Sequence, residues 1–366
     1  MQRQKQKNIL REYDRFLRHF HKKIDFYTHL LDPTYTAPRE ISELRTQIQK
    51  KMSELESKDI DDDLVKKIYL NSLENAREQA TILESRNRKN DMLTSGSRKL
   101  WGEPDYQSYR KALKMLKRNE ESDKIAEELE KKKKIGAVEM RKWLETVLKE
   151  LEIPQWNIPL KKNSSTVSVS SANRKLNLPR DRKFSELEAF RLALHEIGRH
   201  IITFENGQKQ RYKVMALGVG GYENIDEGIA VYMEKESGLI TEKVLKKYAA
   251  RLVAVFQMNQ GQTREEIKEN LDKLGLDPKL SENILQRVFT GHGLSRDHIY
   301  LEGLIKIESW LEDGGDLNDV FIGKVPLKYC EELASRNEIK KPEQDMKELT
   351  TDFYSRMKPL WEEKME

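Results

Sequence analysis

Apolar residues recur every three to four positions through most of this chain. That period predicts helices over residues 4–31, 41–55 and 61–84. Asp32-Pro33 and Ala37-Pro38 punctuate the first break, and the polar stretch 87–97 reads as a loop. Helical spacing resumes over 105–118 and 122–151, with an interruption near Gly136. Between Gln155 and Pro179 the period shortens to two. Residues 166–170 and 175–178 alternate as strands, and 156–160 is a third candidate. Residues 184–203 return to helical spacing, with Leu187, Phe190, Ala193, Leu194, Ile197 and Ile201 on one face. Ser185 and Glu188 form a capping-box pair at its start. Later helices are expected at 241–258, 263–274, 281–289, 297–311 and 326–335, with loops at Gly314-Gly315 and Lys341-Pro342. The fold class is α+β, mostly helical, with a small antiparallel sheet just before the helix at 184–203. No repeat of fixed period is visible.

That helix carries the chemistry. The chain has seven histidines, and two of them frame a glutamate in His195-Glu196-Ile197-Gly198-Arg199-His200. Two imidazoles with an adjacent carboxylate suit a divalent ion and its general base. The usual zinc-peptidase spacing is H-E-x-x-H, and here one more residue separates the histidines. On a regular α-helix, positions four apart lie about 40° apart around the axis and positions five apart about 140°. His195 and His200 can share one ion only if a π-bulge absorbs the extra residue, and Gly198 lies inside the interval where distortion is cheapest. A third ligand is expected from Glu227, after the glycine-bearing loop 218–221 and at the start of a second apolar helix; Asp226 and Glu223 are alternatives. Two histidines and one glutamate would leave a position for water. Asn206, Arg287 and Tyr300 are candidate hydrogen-bond donors or carboxylate clamps, although packing and loop anchoring are the ordinary roles of such groups. A strand edge beside the metal helix could pair with an extended peptide, or simply cover the helix.

Composition narrows the setting. The single cysteine, Cys330, excludes an internal disulfide and argues against a thiolate metal site. No apolar leader and no apolar run of membrane-spanning length appears, which points to a cytoplasmic protein. The formal charge of +5 is modest, but residues 1–25 hold eight Lys/Arg against three Asp/Glu, and Lys131–Lys134 form a second basic run. Such runs are ordinarily solvated helix faces; they also admit an acidic partner such as a protein tail. No nucleic-acid motif or interleaved aromatic platform accompanies them. His19, His21 and His29 sit in this basic region without cysteines and read as a surface helix.

The paired motifs resemble the tyrosine carboxypeptidase family, which includes bacterial QEGLA-motif proteins and the eukaryotic microtubule-associated tyrosine carboxypeptidases. The resemblance rests on His195-Glu196-Ile197-Gly198-x-His200 and Asp226-Glu227-Gly228-Ile229-Ala230. Leu100–Asp105, Ser295–Gly303 and Val320–Val325 are similar to further family segments, so it spans from about Leu30 to the C-terminus. It implies a zincin-like metallopeptidase core at 96–366 with an N-terminal helical region, 1–95, packed on it. It further implies one Zn2+ held by His195, His200 and Glu227, Glu196 as the catalytic glutamate, and a protein or peptide C-terminus ending in an aromatic residue, Tyr or Phe, as substrate. Arg199 stands where the family commonly has Thr, and Thr203 where many members have Arg; Arg199 reads as a surface residue. Two other readings stay open. One is an expanded-motif zincin with dipeptidyl-peptidase or endopeptidase activity, and the other a non-catalytic metal-binding regulatory protein.

Overall fold

The computed structural model describes residues 2–28, 39–85, 91–118, 124–162, 164, 166–289 and 296–365. His29, the two X-Pro breaks, residues 87–90, residues 122–123 and Ser295 lie outside the described residues. Helices α1 (Gln2–Thr28), α2 (Arg39–Glu56) and α3 (Asp63–Ser85) open the chain, followed by α4 (Asp91–Trp101), α5 (Tyr106–Lys117), α6 (Lys124–Glu130) and α7 (Ala137–Glu150). Residues 91–97, expected as loop, are helical. Their small residues let α4 lie against α3: Ser97 is buried, and Gly96 sits so close to Ile82 that an added methyl would stand 3.1 Å from it. Tertiary contact thus overrides weak helix propensity.

The strands are β1 (Leu160–Lys161), β2 (Ser168–Ser170) and β3 (Lys175–Pro179), ordered β1-β3-β2. The sheet is mixed rather than antiparallel. β2 and β3 form an antiparallel hairpin, while β1 pairs parallel to β3 through Leu160 and Leu178. The chain reverses once between β1 and β2 and again between β2 and β3, so the first and third strands run the same way. β2 is left at the edge.

The capping box at Ser185 and Glu188 forms and starts α8 (Glu186–Leu192). The helix then widens into a π segment, Ala193–Ile201, and narrows again into α9 (Ile202–Lys209). A short α10 (Val214–Leu217) and α11 (Glu223–Glu236) follow. Next come α12 (Glu242–Asn259), α13 (Arg264–Lys273), α14 (Pro278–Phe289), α15 (Ile299–Glu312), α16 (Leu327–Ala334) and α17 (Met346–Met365). α17 was not among the sequence-based expectations, although Met346, Leu349, Phe353, Met357 and Trp361 are buried at helical spacing. Trp361 packs edge-on to Trp143 at 5.1 Å.

One apolar cluster runs from Leu17 and Phe20 on α1, through α3, to Ile197 in the π segment and Phe353 on α17. A second gathers α5, α12, α13, α14 and α15. Between them α11 crosses α15 at Gly228 and Gly303, where the two backbones touch and a methyl on Gly228 would overlap the Gly303 main chain. α1 is tied in by Asp14, which accepts a 2.8 Å hydrogen bond from the Tyr69 hydroxyl.

Two outcomes follow from this packing. Gly228→Ala must force α11 and α15 apart and should cost about 3 kcal/mol in chemical denaturation; an unchanged midpoint would contradict the close crossing. Burial raises the Asp14 carboxyl to about 6, against the pull of Tyr69 and nearby backbone amides. A raised acid binds its proton more tightly folded than unfolded, so its contribution declines as pH climbs from about 4 to 6. Asp14→Asn should remove up to about 3 kcal/mol of that decline, read as a flatter urea-stability profile over this pH range.

Candidate active site

In the π segment, hydrogen bonds running from residue i to i+5 place residues five apart on the same side of the helix. His195 and His200 therefore face one another, with ring centroids 5.0 Å apart. The single bulge expected from the spacing is a nine-residue stretch. α11 fixes both rings from the opposite side. His195 Nδ1 lies 2.7 Å from Glu234 Oε1, and His200 Nδ1 lies 2.8 Å from Asp226 Oδ2. Each ring thus presents Nε2 to the space between them. Glu227 reaches the same space: its Oε2 lies 3.4 Å from His195 Nε2 and 3.8 Å from His200 Nε2.

Among the described residues these three form the group that could hold a metal, and their ligand atoms all lie within 4.8 Å of one another. Donors about 2.1 Å from a tetrahedral ion stand roughly 3.4 Å apart, so the spacing and the donor types fit zinc. The charge balance fits too. Burial pushes Glu227 up, but the His195 hydrogen bond and the charges of His200, His195 and Arg296 outweigh it and hold the carboxyl at about 2. Burial opposes a charge on His195, yet Glu227 and Glu234 raise its pKa well above the ordinary imidazole value. The cage is built around a positive charge, which a proton or a cation can supply.

Glu196 lies beside this cluster and differs from its neighbours. Burial raises its pKa, partly offset by His195 and His200. It forms no hydrogen bond to any described residue, and it lines a cavity of about 500 Å³. Residues 166–169, which lead into and begin β2, form one wall of that cavity; Tyr248 and Arg251 of α12 and Tyr300 of α15 form another. Tyr248 and Tyr300 stack in parallel at 5.0 Å. The Arg251 guanidinium lies 5.7 and 5.8 Å from their centroids, and its Nε is buried without a hydrogen-bond partner. Lys247 also lines the cavity, held down to about 7 by burial and by the charges of Arg251 and Arg191.

The three tentative substrate residues part company. Tyr300 lines the cavity, and burial raises its pKa, so it stays a proton donor. Arg287 lines it too, but its fork is engaged by Asp297 at 2.8 and 2.9 Å. Asn206 lies away from the cavity lining and donates instead to the Phe321 carbonyl at 3.0 Å. Of the alternative ligands, Asp226 supports His200 from behind, and Glu223 accepts from the Trp101 indole.

Arg199 is not a surface residue. It is 1% exposed, bonds Asp226 through Nε and Nη2 at 2.8 Å, donates to the Val320 carbonyl, and lies 4.5 Å over the Phe321 ring. The Asp226 carboxylate thus joins Arg199 to His200. Thr203 is fully buried and donates to the Arg199 carbonyl at 2.7 Å; it is not on the cavity wall.

Sequence reasoning missed Glu234, Arg191 and Arg251. Glu234 had a signal: it follows Glu227 by seven residues, two turns along one face, on a helix otherwise apolar there. It is fully buried and shared between His195 and Arg191, 3.1 Å away. The three weaker sequence segments also converge here. Trp101 holds Glu223, Arg296 reaches Glu227 at 3.3 Å, and the 320–325 stretch satisfies Arg199 and Asn206.

The sequence model of the family described as microtubule-associated tyrosine carboxypeptidase matches residues 32–356. No curated protein and no solved structure matches the chain.

The buried bridge yields a direct expectation. Arg199→Ala removes the guanidinium that offsets the buried Asp226 carboxylate and should destabilise the protein by about 3–5 kcal/mol, measured by urea unfolding; a loss under about 1 kcal/mol would mean that the bridge is not structural.

Proposed function

The chain belongs to the microtubule-associated tyrosine carboxypeptidase family, and we propose that it is a zinc-dependent carboxypeptidase that removes an aromatic residue, tyrosine or phenylalanine, from a protein or peptide C-terminus. Membership implies the carboxypeptidase activity. The observation that carries the metal reading is the meeting of His195 Nε2, His200 Nε2 and Glu227 Oε2 beside an unengaged Glu196. Zinc, when bound by these three residues, would supply Lewis acidity and lower the pKa of a water. The layout, a ligand helix under a strand edge with the third ligand on the later helix α11, supports a zincin-like core.

The chain's own residues account for the rest. An extended substrate lies along the free edge of β2 and brings its last peptide bond to the cluster. Glu196 takes the proton from the attacking water and passes it to the departing amine. Its raised pKa suits both halves of that transfer. Tyr222 and Tyr300, both kept protonated by burial, are the donors available to the developing oxyanion. Arg251 has an uncommitted buried Nε and is the group that would receive the terminal carboxylate. The parallel Tyr248–Tyr300 pair offers a flat wall for an aromatic last residue. The surplus of cations around the cavity favours acidic residues upstream of it.

Glu196→Gln should lower kcat by about a thousandfold or more while leaving metal content unchanged; loss of the metal, or retained turnover, would defeat the assigned role. Glu234→Gln should weaken zinc binding about ten- to a hundredfold in chelator competition by freeing the His195 ring. Arg251→Ala should raise KM for a peptide ending in tyrosine about tenfold with a smaller effect on kcat. Amidating the peptide C-terminus should abolish cleavage, and continued cleavage would point to an endopeptidase or a dipeptidyl peptidase.

A further inference from the structure

Away from the active site, a second concavity of about 810 Å³ opens between α1, the turn after α9, and residues 338–340. Lys7, Arg11, Arg15 and Arg18 line it from α1. Lys209, Arg211, Lys213 and Lys340 face them. Against these eight cations stand Asp14, Asp62 and Glu338, a surplus of five, equal to the formal charge of the whole chain.

Part of this charge is paired: Lys209 lies 3.2 Å from Glu343. Asp62 is paired with Arg336, and Asp14 is held by Tyr69. Arg18 donates to the neutral Gln208 amide, and Lys213 to the Gln208 and Gln210 carbonyls. Among the described residues, Arg11, Arg15, Arg211 and Lys340 form no ion pair with a carboxylate. Burial holds Lys213 below its ordinary pKa, as do the Arg18 and Lys340 charges, against the opposing pull of Asp14. Cations gathered at this density, in excess of the acids among them, repel one another unless an anion joins them.

The shape narrows the anion. Arg11, Arg15 and Arg18 share one face of α1 and span about 10 Å along its axis, the scale of a short run of phosphates. Guanidinium forks match phosphate oxygens two at a time. The volume lies within the range of small-molecule sites. A lipid surface fits poorly, since the apolar face of α1 (Leu10, Tyr13, Leu17, Phe20) is buried in the core with nothing to insert. Nucleobases would lack a stacking platform, since Tyr212 is itself buried.

We propose that this groove is a binding site for a compact, soluble polyphosphate anion, separate from the catalytic cavity and independent of the peptidase reading. The segment 209–213 directly continues the helix that carries His200, and Gln210 fastens it to the Ile322 and Lys340 carbonyls. A ligand bridging α1 to this segment therefore holds the far end of the metal-ligand helix.

The test titrates the full chain, without added zinc, with tripolyphosphate by calorimetry, beside the double variants Arg11→Ala/Arg15→Ala and Arg211→Ala/Lys340→Ala. All four positions are exposed, so ligand-free melting should be unchanged. The expected result is saturable binding that weakens about tenfold or more in each variant, with a ligand-induced rise in Tm of about 2 °C or more that both variants lose. Three results would overturn the site. One is no binding; another is heat that persists in both variants, which would place the anion in the catalytic cavity. The third is an oligoglutamate of equal charge binding as tightly as tripolyphosphate, which would assign the groove to an acidic polypeptide.

Discussion

The site depends on one change of helical register. A regular α-helix would turn His195 and His200 away from each other; the i-to-i+5 ladder over Ala193–Ile201 brings them to a common face. That ladder is held from outside itself. Glu234 and Asp226, on α11, fix one imidazole each, and Arg191 and Arg199 balance those carboxylates. The wide turn is therefore bolted at both ends by buried charge, and Glu227 arrives between the bolts on the same helix. Removing any one of these groups strands a charged partner in a low-dielectric interior, where isolated charges are most costly.

α11 can play this part because it is pressed into the molecule from two sides. Its contact with the π segment presents three carboxylates, while Gly228 admits the α15 backbone on another face. α15 in turn brings Tyr300, and the 3-10 turn before it brings Arg296 and Asp297. Small residues next to a ligand thus set how closely the second cluster of helices approaches the first, and so how the cavity closes.

Much of this was written in the local sequence. The helices with clean apolar periodicity form within a few residues of where the pattern places them, and the capping box at Ser185 starts the ligand helix. The distortion at His195–His200 could be read from the spacing because a straight helix forbids a shared ion. What stayed hidden depends on neighbours distant in sequence. Residues 91–97 look like a loop until α3 is there to receive Gly96 and Ser97. Arg199 looks solvated until Asp226 and Val320 surround it. Asn206 has the chemistry of a substrate contact, yet it is committed to Phe321; Arg251 was unremarkable in a helix of mixed charge until its position beside Tyr248 and Tyr300 was seen. Charge placement is set by tertiary packing, and a single sequence does not display its partners.

Everything proposed for the site requires His195, His200 and Glu227 to grip one zinc ion. Zinc-edge X-ray absorption on the purified chain, with metal content measured on the same sample, tests it without any assumption about substrate. The account predicts one zinc per chain with two imidazole nitrogens at about 2.0 Å, oxygen donors completing the shell and no sulfur, and loss of that signal in His200→Ala. A zinc shell containing sulfur or a single imidazole, or one unchanged in His200→Ala, would contradict it.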